Sequence, residues 1–347
     1  MTGAGVRLIT GMMRITGYVV AVLLLASCAK SPSPVSMTSA SAPSASPAKK
    51  VPVGVIDAPF NLGLRPPKPG HEPGVRRLAE VLRGTGLVAR LGAADRGTVP
   101  PPSYAFEQDP KTRIYNAAQI RAYSEKLAKS VEETTKRGEF ALVLGGDCSI
   151  LVGALSAGSA HAHRGLVYMD AHTDFGPPPA VGGGIALALA TGYGPVSMQS
   201  FGGRQPLVRE EDAVLFGARD PDDLRDFRGR SKVDTFDLEK VRRKGAKASA
   251  REVVTRFRAQ GVDDVWIHLD ADVLDDAIMP AVDSRSPGGL SYAELKDVVS
   301  EFLASGLVTG MDVAIFDPDL DPKGDYARGL SAALVEIFQR VGWTESR

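Results

Sequence analysis

Asp170-Ala171-His172-Thr173-Asp174 puts two carboxylates and an imidazole at alternate positions, and Asp270-Ala271-Asp272 repeats the spacing later in the chain. On extended backbone alternate side chains leave on one side, so each segment presents its polar groups as a face. Four carboxylates and an imidazole brought to one place would repel strongly unless a cation shared the charge. Oxygen donors with a borderline nitrogen suit divalent ions such as Mn²⁺, and two aspartates could bridge a pair of them. Any one of these aspartates could be a helix cap. It is the joint pattern that points to metal.

Such a cluster needs elements to carry it. Short apolar runs at 51–56, 141–144, 165–169, 213–216, 265–269 and 308–315 read as strands. Amphipathic stretches at 75–83, 117–136, 150–159, 250–259, 292–304 and 330–341 read as helices between them. Strand and helix alternating at this spacing predict an α/β fold, a mainly parallel sheet covered on both faces in three α/β/α layers. Ligands bind such sheets beyond the carboxyl ends of the strands. The polar clusters fall there: Gly145-Gly146-Asp147-Cys148-Ser149, the segments at 170 and 270, and Asp317-Pro318-Asp319. No internal repeat and no second linker interrupts residues 51–347, which read as one domain.

The chain has 347 residues, 44% apolar and 24% charged, a globular balance. Its 41 basic and 41 acidic side chains cancel, which leaves no general electrostatic case for nucleic acid. Residues 1–50 hold five basic residues and no acid, so residues 51–347 carry a net charge of −5. Residues 1–27 have the layout of a signal peptide: Arg7 and Arg14, an apolar run of 12 residues from Ile15 to Ala26, then small residues. The run is short for a bilayer span, which takes roughly 20 residues. Leu25-Ala26-Ser27-Cys28 resembles a bacterial lipobox, implying cleavage before Cys28, lipid attachment to its sulfur, and an exported protein anchored to the membrane. Residues 28–50, rich in Ala, Ser, Pro and Lys, read as a flexible tether. Cys148 is then the only thiol of the folded part.

The motifs Gly145–Ser149, Asp170–Phe175 and His268-Leu269-Asp270-Ala271-Asp272-Val273-Leu274-Asp275 resemble those of the arginase–agmatinase (ureohydrolase) family, over most of residues 51–345. The resemblance implies a binuclear manganese centre, two ions per chain, activating a hydroxide that attacks a guanidinium carbon and releases urea. By motif, Asp170 and Asp270 would bridge the ions, Asp174 would complete one site, and His172 with Asp272 the other. Asp147 would support the chemistry or cap a helix. Asp222, in Phe216-Gly217-Ala218-Arg219-Asp220-Pro221-Asp222, would contact substrate, and Asp283 could reach the site from the loop after 280. The family tends to form trimers or hexamers.

Three positions depart from the family pattern. Cys148 stands where a ligating histidine is usual, and a thiolate there would favour Zn²⁺ over Mn²⁺; a buried inert cysteine is the alternative. The loop from Pro177 to Leu189 lacks the usual proton-shuttling histidine and is shorter than in arginases, which counts against arginine as substrate. Ile315 replaces a glutamate that arginases use on the guanidinium, and Asp317 or Asp319 could substitute. His268 shares the strand face of Asp270, one step deeper. It reads as a hydrogen-bond partner behind the ligands or, more plainly, as a satisfied core histidine. The function expected is metal-dependent hydrolysis of a guanidino compound. An inactive binding lipoprotein on the same fold is the first alternative, and a metal-dependent deacetylase the second.

Overall fold

A computed structural model describes residues 50–158, 163–199 and 205–344. The lipobox with Cys28 and most of the tether lie outside the described residues. Eight strands form one sheet: β1 (Val53–Asp57), β2 (Ala94–Thr98), β3 (Phe140–Leu144), β4 (Arg164–Met169), β5 (Ala213–Phe216), β6 (Asp234–Phe236), β7 (Asp264–Asp270) and β8 (Val308–Ala314). Their order is β2-β1-β3-β8-β7-β4-β5-β6 and every pairing is parallel. Every residue of β3, β4 and β7 is buried. Continuous apolar runs such as Phe-Ala-Leu-Val-Leu in β3 are what a strand covered on both faces requires.

Helices supply the covers. Ala117–Lys136 packs on Ile150–Ser156, which in turn packs on Ala186–Ala190. Ala246–Gln260, Tyr292–Ala304 and Asp325–Arg340 form a second packed series, joined by Leu78–Gly84 and Leu87–Leu91. This is the three-layer α/β/α architecture expected. Local signals set several boundaries. Ser291 and Glu294 close a capping box at the start of Tyr292–Ala304. No helix among the described residues is long and apolar enough to cross a membrane.

The elements missed in sequence share a cause. β2 is a polar, mostly exposed edge strand, Ala-Asp-Arg-Gly-Thr, without apolar alternation. β6 has three residues at the other edge. Pro221–Arg228 and Leu238–Lys244 bury only two residues each, so their apolar period is faint, although Asp220 and Asp237 cap them. Ala246–Gln260 and Asp325–Arg340 begin four or five residues before the expected starts, in polar first turns.

The sheet order places the polar rim. β8 and β7 come from the last third of the chain yet lie between β3 and β4. The turns after β3, β4 and β7 are therefore neighbours. Behind the rim, register aligns Tyr168 of β4 with His268 of β7, and His268 with Asp312 of β8. Trp266 Nε1 donates to Asp312 Oδ1 at 2.6 Å. Gly310 makes room for that indole, because a Cβ at 310 would lie 2.1 Å from the Trp266 ring. Gly310→Ala is expected to destabilise the fold by about 1–3 kcal/mol through overpacking. Chemical denaturation would show it, and an unchanged midpoint would mean that the indole has room to move.

Candidate metal centre

The turn after β3 sets Cys148. Gly145 and Gly146 have φ of 153° and 117°, and a Cβ on either would lie 2.3–2.5 Å from the carbonyl oxygens of Ala58 and Phe60. Only glycine lets the chain pass so close. Asp147 then turns away from the rim. Its carboxylate accepts from Gly63 N at 2.8 Å, from Ser149 N at 2.9 Å and from the Ser149 hydroxyl. It is fully buried, and burial pushes its pKa up to about 6. Asp147 ties two loops together and does not line the cavity, which corrects its assignment as a catalytic residue.

Cys148 faces the cluster, with Sγ donating to Asp270 Oδ2 at 3.0 Å. The aspartates share one arrangement: one oxygen accepts from backbone and the other is turned inward. Asp170 Oδ1 accepts from His172 N at 2.6 Å, Asp270 Oδ1 from Asp272 N at 2.7 Å, and Asp272 Oδ1 from Ala171 N at 3.0 Å. Two groups of donor atoms result, each within 4.8 Å of one another: Cys148, Asp170, His268 and Asp270 in one, Asp170, His172 and Asp272 in the other. Asp170 belongs to both. His172 Nδ1 lies 2.9 Å from Asp272 and 3.5 Å from Asp170. Asp174, with φ of 44°, lines the same cavity, but its Oδ2 accepts the Tyr168 hydroxyl at 2.5 Å and it belongs to neither group.

The electrostatics are those of crowded like charge. Burial, then Asp272, raises the pKa of Asp170 and strongly raises that of Asp270. Asp174 is raised strongly by burial and Asp170, and the Cys148 thiol by burial and Asp270. Burial alone would lower His172, yet hydrogen bonds to Asp170 and Asp272 push it up to about 11. Burial would raise Asp272, yet His172 holds it below the ordinary value. His172 thus lowers the pKa of its neighbour Asp272, while Asp170, Asp174 and Asp270 stay raised. Two buried atoms that point into the cluster have no hydrogen-bond partner, Asp170 Oδ2 and His268 Nε2. An inward-facing carboxylate oxygen and an imidazole nitrogen left without partners among further oxygen donors fit a site for divalent cations, which these two groups would hold.

Above the cluster is a cavity of about 340 Å³. Asp283, Ser284, Asp223 and Ile315 line it beside the cluster. Burial, then Asp272, pushes Asp283 up to about 6. No lysine or arginine lines the cavity among the described residues. The aspartate facing the site from the segment after β5 is Asp223, which accepts from Thr173 N at 2.9 Å and Thr173 Oγ1 at 2.8 Å. Asp222 projects into solvent and pairs with Arg225 at 2.8 Å, so its placement at the substrate is corrected by one residue. The signal was present: Asp220 caps the helix with Pro221 at its first position, which sets the next two residues on different sides. Asp317 is also corrected. It caps the turn Pro318–Leu320 and accepts from Gly74 N at 3.2 Å, outside the cavity lining. Asp319 pairs with Arg77 on the surface.

The family model described as "Arginase family" matches residues 51–338. The arginase of Staphylococcus aureus (strain COL) is 30% identical over 299 residues, covering 82% of this chain and 96% of that one. The chain belongs to the arginase family. The native structure of arginase from Bacillus caldovelox superposes with a TM-score of 0.74 at 27% identity, covering 83% of this chain and 98% of that one. Formimidoylglutamase from Bacillus subtilis, with a TM-score of 0.65 at 17% identity over 86% of this chain and 89% of that one, shares the fold. Arginase-family hydrolases cleave C–N bonds in amidines and depend on a pair of metal ions. The acidic cluster at the carboxyl ends of β4 and β7 is where such ions would be held.

The same geometry shows how this family member differs. Ile315 is buried with φ of 71°, a strained conformation for a β-branched side chain. It forms an apolar part of the cavity wall where the resemblance led one to expect a glutamate. Asp223→Ala would strip the acceptor from Thr173, between His172 and Asp174. We expect it to weaken retention of added divalent metal, whereas Asp222→Ala stays within about 0.5 kcal/mol of the parent in stability. Metal titration and denaturation of the two variants test this, and equal behaviour would remove Asp223 from the site.

Proposed function

We propose that this protein is a metal-dependent hydrolase of a cationic linear amidine, a guanidino compound with no carboxylate, releasing urea. The carrying observation is the pair of donor groups that share Asp170 beneath a cavity lined by Asp223 and Asp283 and by no lysine or arginine among the described residues. Arginine would bring an α-carboxylate to the wall that carries Asp223 and Asp283, with no lysine or arginine to meet it. A guanidino compound with an amine and no carboxylate meets complementary charge at Asp223 and Asp283.

Metal ions, when bound, supply a water that is nucleophilic near neutral pH. The chain's own residues do the rest. Asp170, Asp270 and Asp272 hold the ions, with one oxygen of each fixed on backbone and the other facing inward. His172 belongs to the second group and turns its Nε2 to Ser284 Oγ at 3.3 Å. Asp283 and Asp223 face the cavity and would hold the amidinium against the reacting centre. Mn²⁺ fits the Asp170–His172–Asp272 group, whose donors are oxygen and one imidazole. Two separate donor groups count against the single-metal deacetylase.

Ile315 favours a second reading, a binding protein on the same fold, because an apolar wall cannot orient a guanidinium by charge. A panel containing arginine, agmatine and ω-guanidino acids, assayed for urea with manganese-loaded protein, separates the two. We expect at least tenfold higher kcat/KM for the amine-bearing compound than for arginine, and loss of turnover in Asp170→Asn. Metal retention without urea from any member would leave the binding reading. Export and lipid attachment at Cys28 belong to the same proposal, with the small substrate met outside the cytoplasm and the chain assembled as a homo-oligomer. Cys28→Ser is expected to move the protein from the membrane fraction to the soluble one on cell fractionation, and an unchanged distribution would refute the anchor.

A further inference from the structure

His268 is the buried histidine that the proposed chemistry leaves without a task. It is fully buried in β7, two residues before Asp270 and on the same face. Its ring stacks on Tyr168 with centroids 4.5 Å apart. Its Nδ1 lies 2.5 Å from Asp312 Oδ2, and Asp312 is held in turn by Trp266. In the neutral ring a carboxylate on Nδ1 fixes the proton there and leaves Nε2 with a lone pair. That Nε2 has no hydrogen-bond partner. A ring nitrogen of His268 lies within 4.8 Å of ligand atoms of Cys148, Asp170 and Asp270; with Nδ1 on Asp312, Nε2 is the one free to serve, and Asp170 Oδ2 is also unpartnered.

A core histidine kept only for packing would satisfy both nitrogens, since an orphaned buried polar atom costs about 1–3 kcal/mol. Here the carboxylate behind the ring and the donor atoms before it make the three-part arrangement seen when a histidine ligates a cation. We propose that His268 ligates a divalent cation through Nε2, together with Cys148, Asp170 and Asp270, replacing from β7 the imidazole that Cys148 does not supply from the β3 turn. The inference rests on the metal-centre reading above and makes the two positions unlike. One holds thiolate, imidazole and carboxylates, a set that favours zinc. The other holds Asp170, His172 and Asp272, a harder set that takes manganese.

The test uses the purified full chain. Zinc is added to one equivalent, excess is removed, and the zinc is examined by X-ray absorption in wild type and in His172→Ala. The His172→Ala protein removes the neighbouring imidazole, so a histidine shell together with a sulfur shell at about 2.3 Å assigns both His268 and Cys148. Metal analysis of His268→Phe, which preserves a ring against Tyr168, should show zinc affinity lowered at least tenfold with the manganese position retained. A sulfur shell without imidazole in His172→Ala overturns the proposal even if His268→Phe fails to fold. So does a folded His268→Phe that holds zinc as tightly as wild type. In either case, two ions in wild type with urea release leave the hydrolase reading standing. Imidazole and sulfur on zinc with no urea from any amidine would support this proposal and defeat the hydrolase reading. A wild type that retains no metal defeats both.

Discussion

Confinement of like charge at one end of a parallel sheet is the constraint on which the rest of this structure depends. Asp170, Asp174, Asp270 and Asp272 lie within reach of one another, and three of them have pKa values raised by burial and mutual repulsion. A fold tolerates this only if each carboxylate is anchored and the net charge is shared. The anchoring is local. Each of Asp170 and Asp270 accepts the amide two residues ahead, and Asp272 accepts Ala171 N from the other strand's turn. Arg219 adds a second tie without entering the cavity, donating to the carbonyl oxygens of Asp272 at 2.7 Å and Ser286 at 2.6 Å. A half-buried guanidinium spent on carbonyls stiffens the loops around the site and leaves the cavity acidic.

β8 organises the centre while giving it no inward carboxylate. Asp312 holds Trp266 and His268. Val313 O accepts from Gly145 N at 2.9 Å, and Gly146 O accepts from Ile315 N at 2.9 Å. β8 thereby fixes the glycine turn that presents Cys148 on one side and the imidazole of β7 on the other. Sheet order and the cluster are therefore one fact: β3 and β7 can both serve a single ion because β8 stands between them.

The fold was legible because the central strands are buried on both faces and so read as apolar runs, and because their polar turns carry spaced motifs. The edge strands β2 and β6 were not, since an exposed or three-residue strand carries no period. Within the site, Asp170, His172, Asp270 and Asp272 could be grouped from alternation alone. His268 could be placed on the right face, but its role turned on whether Nε2 finds a partner, which depends on Tyr168 and Asp312 from other strands. Asp147 and Asp317 were misassigned for the converse reason. An aspartate in a turn offers the same letter whether it faces a cavity or caps its own backbone, and here the backbone donors of Gly63, Ser149, Gly74 and Asp319 claim them.

Ile315 shows how the site can change its chemistry without changing its frame. Its φ of 71° costs of order 1–3 kcal/mol for such a side chain, yet the turn persists. Its N–H is bound to Gly146 O, and the chain two residues on is held by Asp317 N donating to Ala281 O at 2.8 Å. Those bonds belong to the loops that carry Cys148 and Asp283, so relaxing the turn would disturb the ligand cluster and the acidic wall together. A polar side chain could be exchanged for an apolar one there while the backbone could not. On the proposed function, the positive end of a ligand would be met by Asp223 and Asp283 and not at position 315. An apolar side chain at 315 beside acids at 223 and 283 distinguishes this centre from one built to grip a guanidinium at position 315.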